Sequence, residues 1–321
     1  MSHRYLLQGI RVTSDWALED LQPDHAAEDS QVQIRTCSVP TALEGNVTRH
    51  GNWHWNGQQL LLSIPDVARF LITARDIRVD PDPAAEPDAM RSCLLGSAWA
   101  ACCHQRDVLI LHASAAVFGS ACIALMGNSG AGKSTLAALL AARGHIIAAD
   151  DTCVLSSEHG MTRLHSASSR LKLWRDALPI LGETTGNVSA AARQPGKFQV
   201  SLHDQWSHGS LPVHYILLLE NDQDGSTPRF ERLSTLDCMR ALAAHTFRSN
   251  VVALLGRQQQ NFALSAAVAA TTEVHRWIRP WGIHRQHTML AMLEDWVRQR
   301  GSKRLPTTAR SAISAGTAAP L

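Results

Sequence analysis

Residues 127–135 read Gly-Asn-Ser-Gly-Ala-Gly-Lys-Ser-Thr, a complete match to the pattern G-x-x-x-x-G-K-[ST]. No other stretch restricts the fold as strongly, because this loop works only between a buried strand and a helix. Both neighbours are present: the apolar run Ala121–Met126 reads as the strand, and Thr135–Arg143 as the helix. The chemistry also needs these residue types. Gly127, Gly130 and Gly132 let the backbone wrap around phosphate without Cβ clashes. Asn128, Ser129 and Ala131 complete the wall of main-chain N–H groups, and Thr135 continues it into the helix. The helix start adds its positive dipole end. Lys133 is placed to reach the β- and γ-phosphates, and the Ser134 hydroxyl to ligate Mg²⁺. The expectation is a nucleoside triphosphate site.

Bulk composition narrows the remaining choices. The chain of 321 residues is long enough for two domains, and 45% hydrophobic against 18% charged residues fits a packed core. A formal charge of +2 gives no electrostatic reason to expect nucleic acid or an anionic membrane as partner. No apolar run approaches the roughly 20 residues that a membrane helix needs. The first twenty residues carry Asp15, Glu19 and Asp20 and no apolar signal core, so the expected compartment is the cytoplasm. Seven cysteines without a C-x-x-C pair, including the adjacent Cys102 and Cys103, read as packed thiols.

Three regions are expected. Residues 1–85 form a mainly β region, with a two-residue Asn56-Gly57 turn joining Trp53–Trp55 to Gln58–Leu62. Strands are also expected at Arg69–Thr73 and Ile77–Val79. A proline-punctuated stretch, Asp80–Pro87, leads into an α/β nucleotide-binding core, residues 86–301. The core begins with a helix over Asp88–His104 and contains strands at Ile146–Ala149 and Tyr215–Leu219. A late amphipathic helix covers Thr288–Val297. Residues 302–321 lack periodicity and read as a flexible tail.

Two further features carry chemistry. Val108–Phe118 and Ala121–Met126 flank Gly119-Ser120, which predicts a tight antiparallel hairpin pairing 118 with 121. That register sets His112 opposite Gly127, beside the nucleotide; the alternative is a strand histidine with an ordinary hydrogen bond. Asp150 and Asp151 directly follow the strand Ile146–Ala149, where P-loop proteins hold a carboxylate for Mg²⁺. Successive residues leaving a strand diverge, so one carboxylate can face the metal and the other an incoming hydroxyl. We assign Asp150, Asp151 and His112 to catalysis, and Ser134 with Asp151 to the metal side; spacing does not separate base from metal support. No Asn-Lys-x-Asp motif for guanine is present, which favours ATP.

These segments together resemble a known family. Leu111–Val117, the Gly-Ser turn, Met126–Ser134 and Arg143–Asp151 occur in the order and spacing of the HPr serine kinase/phosphorylase catalytic domain. That block carries a His before the hairpin, a P-loop and an R-G-H-x-x-x-A-D-D segment. The chain is still more similar to stand-alone HPr-kinase-like proteins, some of which phosphorylate lasso-peptide precursors. Tyr215–Asn221 and Phe230–Leu233 extend the resemblance more loosely. It implies a P-loop core of the HPr-kinase type, ATP and Mg²⁺ as cofactors, and an acceptor serine on a peptide or small protein. One Asp would then act as base, the other would support the metal, and His112 would assist near the transferred phosphate. The P-x-x-P-G-R-N segment of the family is missing. Arg248 and Lys197 are the candidates for its phosphate-facing cation, against a reading of each as a surface charge. The first 85 residues do not resemble the family's regulatory domain.

The expected function is therefore an ATP-dependent serine kinase. The alternative is a nucleotide-binding regulator or maturation factor that hydrolyses ATP without a phospho-acceptor. A homo-oligomer stays open. Trp277 and Trp281, around Arg279-Pro280, are either core residues or the wall of a peptide groove.

Overall fold

Period-two alternation dominates the N-terminal stretch, and it folds accordingly. In the computed structural model the described residues are 2–304, apart from 20, 27, 167–169, 185–187, 192–193, 203–204, 223–226, 281 and 283–284. Strands β1 (His3–Leu7), β2 (Ile10–Ser14), β3 (Gln22–Pro23), β4 (Val32–Thr36), β5 (Thr48–His50), β6 (Trp53–Trp55), β7 (Leu60–Ile64), β8 (Ala68–Ile72) and β9 (Asp76–Pro81) form one sheet. Their order is β3-β1-β2-β4-β9-β8-β7-β6-β5. Alternate side chains such as Val12, Ile34, Phe70 and Ile77 point into a shared core. The turn at Asn56-Gly57 is longer than the sequence suggests. Trp55 pairs with Leu60, so the loop has four residues, not two. The cause is local: Asn56 Oδ1 accepts the backbone N–H groups of Gln58 and Gln59, closing an Asx turn instead of a two-residue hairpin.

A continuous helical run follows the prolines. α1 (Pro87–Cys93) passes through a π-helical turn (Leu94–Ala98) into α2 (Trp99–Gln105). Leu94, Ala98, Trp99, Cys102 and Cys103 pack on the inner face of the first sheet. Burial pushes the Cys102 thiol up to about 12 and raises the Cys103 thiol well above its ordinary value, so neither is a reactive thiolate.

The second sheet is mixed. It contains β10 (Leu109–Leu111), β11 (Ala113–Phe118), β12 (Ala121–Met126), β13 (Ile146–Ala149), β14 (Cys153–Glu158), β15 (Met161–His165), β19 (Ser210–Asn221), β20 (Arg229–Arg232) and β21 (Glu273–Arg279). A separate small sheet holds β16 (Arg170–Trp174), β17 (Val188–Ala190) and β18 (Lys197–Ser201). In β12, Ile123 and Leu125 face α3 (Lys133–Ala142) and α7 (Gln286–Arg304). Cys122, Ala124 and Met126 face α4 (Thr235–Ala244) and α6 (Gln258–Thr271). Helix α5 (Ser249–Leu254) joins the core beneath the first sheet. The chain is thus mixed α/β. Helix α7 extends the expected Thr288–Val297 in both directions, and residues 305–321 of the expected tail lie outside the described residues. No helix among the described residues is long and apolar enough to cross a membrane.

The expected strand Val108–Phe118 is broken at His112. β10 pairs with β14, whereas β11 pairs with β12 and β13. The residues on either side of the break, Leu109–Leu111 and Ala113–Ala116, are buried on both faces, so hydrophobicity carries no trace of it. The predicted register of the following hairpin does hold: Phe118 pairs with Ala121 and Ala113 with Met126. β11 also pairs antiparallel with β13. The start of β11 and the ends of β12 and β13 therefore meet at one edge of the sheet.

Trp277 is fully buried, with its ring stacked on Phe230 at 5.1 Å between centroids. It is a core residue and lines no groove, because β21 lies under α7; Trp281 lies outside the described residues. Trp277→Ala is expected to cost about 3–5 kcal/mol by urea unfolding. A loss below about 1 kcal/mol would contradict this packing.

Candidate functional site

The glycine-rich segment leaves β12 at Met126 and enters α3 at Lys133. Its shape depends on residues without a Cβ. Gly130 and Gly132 have φ of 83° and 87°, in the left-handed region. A Cβ on Gly127 would lie 2.9 Å from the Leu219 carbonyl oxygen. Gly132 is the N-cap of α3 and no side chain caps that helix, so its first-turn N–H groups face the cavity above the loop. The Ala131 methyl packs into the core, and its carbonyl accepts from the buried Arg279 guanidinium at 2.6 Å.

Lys133 is almost fully buried, and its side chain folds back over the loop. Its Nζ donates to the carbonyls of Gly127 at 2.8 Å and Asn128 at 3.2 Å. Burial lowers its pKa, opposed by the charges of Asp150 and Asp151. Ser129, Gly130, Gly132, Ser134 and Thr135 line the same cavity, whose volume is about 250 Å³.

Asp150 and Asp151 leave β13 in different directions, as the sequence implied. Asp150 Oδ1 accepts from the hydroxyls of Ser114 at 2.6 Å and Ser134 at 2.9 Å; Oδ2 accepts from the Lys172 amide at 2.8 Å. Burial raises its pKa, and these three donors work against that rise. Asp151 sits in the left-handed region with φ of 67°, an uncommon position for a residue with a Cβ. This conformation turns its carboxylate away from Ser134. Oδ2 lies 2.7 Å from Lys172 Nζ, and Oδ1 lies 3.5 Å from His112 Nδ1. Burial by itself would raise its pKa, but the Lys172 ammonium outweighs that and holds the carboxyl below its ordinary range. The sequence reading set Ser134 with Asp151 on the metal side. In the structure the Ser134 hydroxyl is bonded to Asp150 instead.

His112 lies just beyond the last hairpin pair, with Nδ1 3.0 Å from the Asp151 carbonyl oxygen and its ring stacked on Phe247. Burial, and then the Lys133 charge, lower its pKa. It borders Asp151 and the cavity over the loop.

A second, larger cavity of about 630 Å³ also borders Asp151 and reaches Ser97, His245 and Arg248. His112, Ser129, Asp151, Lys172 and Lys197 line both cavities. Lys197 is therefore at their junction, whereas Arg248 lines only the second. Arg248 donates to Ser97 Oγ at 2.7 Å and is stacked against Phe247 at 5.4 Å.

The sequence reading missed Lys172, Ser114 and Trp174. The Arg170-Leu-Lys-Leu-Trp174 alternation was the available signal: Leu171 and Leu173 are buried, so Lys172 and Trp174 share the opposite face. What that face meets depends on a contact between separate sheets, which alternation does not encode.

No family model and no curated protein matches the chain. Among solved structures, the HPr(Ser) kinase/phosphatase from Coxiella burnetii aligns with 60% of this chain and 97% of its own. The identity is 16% and the TM-score 0.34. A likeness of that degree decides nothing about activity.

The Lys172–Asp151 pair gives a test of the geometry. Removing one member strands a half-buried charge, whereas removing both does not. Lys172→Met is expected to destabilise the fold by about 1–2 kcal/mol, with partial exposure discounting the value for a fully buried pair. Adding Asp151→Asn should recover most of this in urea unfolding at pH 7. Additive losses would show that the two side chains do not interact.

Proposed function

We propose that the protein is an ATP-dependent kinase that phosphorylates a serine hydroxyl on a peptide or small protein. The observation that carries this reading is the position of Asp151, a clamped carboxylate at the junction of two cavities. One cavity has Lys133, Ser134 and the loop residues Ser129, Gly130 and Gly132 in its wall; the other, bordered by Gly127 to Ser129, reaches Ser97 and Arg248 and leaves room for an acceptor. A regulator that only hydrolyses ATP needs a water at that position and no second cleft.

The residues divide the work as follows. The loop N–H groups and Lys133 bind the phosphate chain, with Lys133 exchanging its carbonyl partners for phosphate oxygens. Ser134 Oγ and Asp150 Oδ1 are hard oxygens 2.9 Å apart, a donor pair suited to Mg²⁺. Mg²⁺ needs few protein ligands beside phosphate oxygens and water, so a set of three or more acidic or imidazole ligands is not required. When bound, it would neutralise charge on the β- and γ-phosphates. Asp151 orients the acceptor hydroxyl and takes its proton as the new O–P bond forms and the bond to the β–γ bridging oxygen breaks. Lys172 keeps that carboxylate ionised and fixed. Lys133 supplies a cationic donor to the transferred group and His112 borders it, in keeping with a reaction governed by positioning and charge.

The test is transfer of label from γ-labelled ATP with Mg²⁺ into an extract of the source cells. Wild type should label a peptide or protein on serine, and Lys133→Ala should label nothing. Asp151→Asn should lose at least about 100-fold in transfer while still binding ATP. Label released only as free phosphate by wild type would favour the regulator. Because its pKa is depressed, the Asp151 carboxylate stays ionised until the pH falls below the ordinary carboxylate range. Lys172→Met should therefore shift the acid limb of the pH–rate profile upward. An unmoved limb would remove Asp151 from the proton transfer.

A further inference from the structure

We propose that Trp174 is the stacking platform for the nucleobase, so that the cavity over the glycine-rich loop accepts a whole nucleotide and not its phosphates alone. The inference rests on reading that loop as the phosphate site. Trp174 is 53% exposed, above Met161, Val188, Leu236 and Phe262, the other large apolar side chains that stand open to solvent among the described residues. Single exposed apolar residues are ordinary. This one is distinguished by its position, in the wall of the cavity that contains Lys133, Ser134 and Thr135.

Strand geometry sets its distance from the reacting groups. Lys172 and Trp174 project from the same face of β16, roughly 7 Å apart along the strand. The Lys172 ammonium is at Asp151, where the two cavities meet. The indole is thus one side-chain step away from the transfer point along the same wall. Ala177 and Ile180 extend the apolar lining next to it.

The ring is also held in place before any ligand arrives. Trp174 pairs with Lys197 across β16 and β18, and the Lys197 Nζ lies 5.0 Å from the ring centroid. A Cβ on Gly196 would stand 3.5 Å from the ring, so the backbone of that turn supports the indole. An aromatic ring already fixed on one side loses little conformational freedom when a flat base covers its open surface. Every base has a π-face, so stacking supplies affinity without selecting a particular base.

Calorimetric titration of the full-length protein in Mg²⁺ buffer, with ATP and separately with inorganic tripolyphosphate, tests the idea. Trp174→Ala should weaken ATP about tenfold or more and leave tripolyphosphate unchanged; Trp174→Phe should keep most of the ATP affinity. Unchanged ATP binding by Trp174→Ala would overturn the proposal. Equal loss for both ligands would also overturn it, because the indole would then act on the phosphates or the fold. If wild type binds tripolyphosphate as tightly as ATP, the base makes no contact and the proposal fails while the phosphate site stands. If wild type binds neither ligand, the phosphate-site reading fails and the base platform with it.

Discussion

One buried carboxylate ties the site together. Asp150 accepts from Ser114 on β11, from Ser134 at the start of α3 and from the Lys172 amide on β16. A buried carboxylate carries a large desolvation cost, which only such a complete set of donors offsets. Those donors come from three separate elements. Satisfying Asp150 therefore fixes the helix that closes the loop, the hairpin that begins next to His112, and the small sheet that carries Lys172 and Trp174. The site is positioned by a hydrogen-bonding requirement as much as by apolar packing.

The charges around this hub are graded. Asp150 is held among neutral donors, and burial pushes it toward protonation. Its neighbour Asp151 meets Lys172 directly and is pulled the other way. Two adjacent carboxylates thus acquire different chemistry from their surroundings alone. The left-handed backbone at Asp151 produces this divergence: an extended residue there would project its side chain along a different path. A non-glycine residue in that conformation carries a small backbone cost, offset by the ion pair with Lys172.

Local periodicity was a sound guide where each element is decided by its own residues. The strand–loop–helix around Lys133, the register from Phe118 and Ala121, and the strand before Asp150 all follow from runs of a few residues. Local pattern and folded structure part where neighbours compete. At Asn56 a side chain captured backbone donors and lengthened the turn. At His112 the chain changes sheet partners in the middle of an unbroken apolar run, and its N–H is taken by the His245 carbonyl. Neither event leaves a mark in composition. Trp277 is ambiguous for a related reason: an aromatic residue flanked by Arg276 and Ile278 fits a groove or a core equally until the covering helix is known.

By itself the sequence determined the glycine-rich loop and the paired carboxylates, because backbone conformation without a Cβ and a strand ending in acidic residues are local properties. Only the tertiary structure decided which carboxylate meets Ser134, which cation meets Asp151, and what faces the cavity over the loop. Those contacts join residues far apart in the chain: Asp151 to Lys172, His112 to Asp151, Arg279 to Ala131. Each depends on how separately formed sheets and helices pack, and packing is settled by the burial and hydrogen-bond satisfaction of the whole chain, not by any one segment of it.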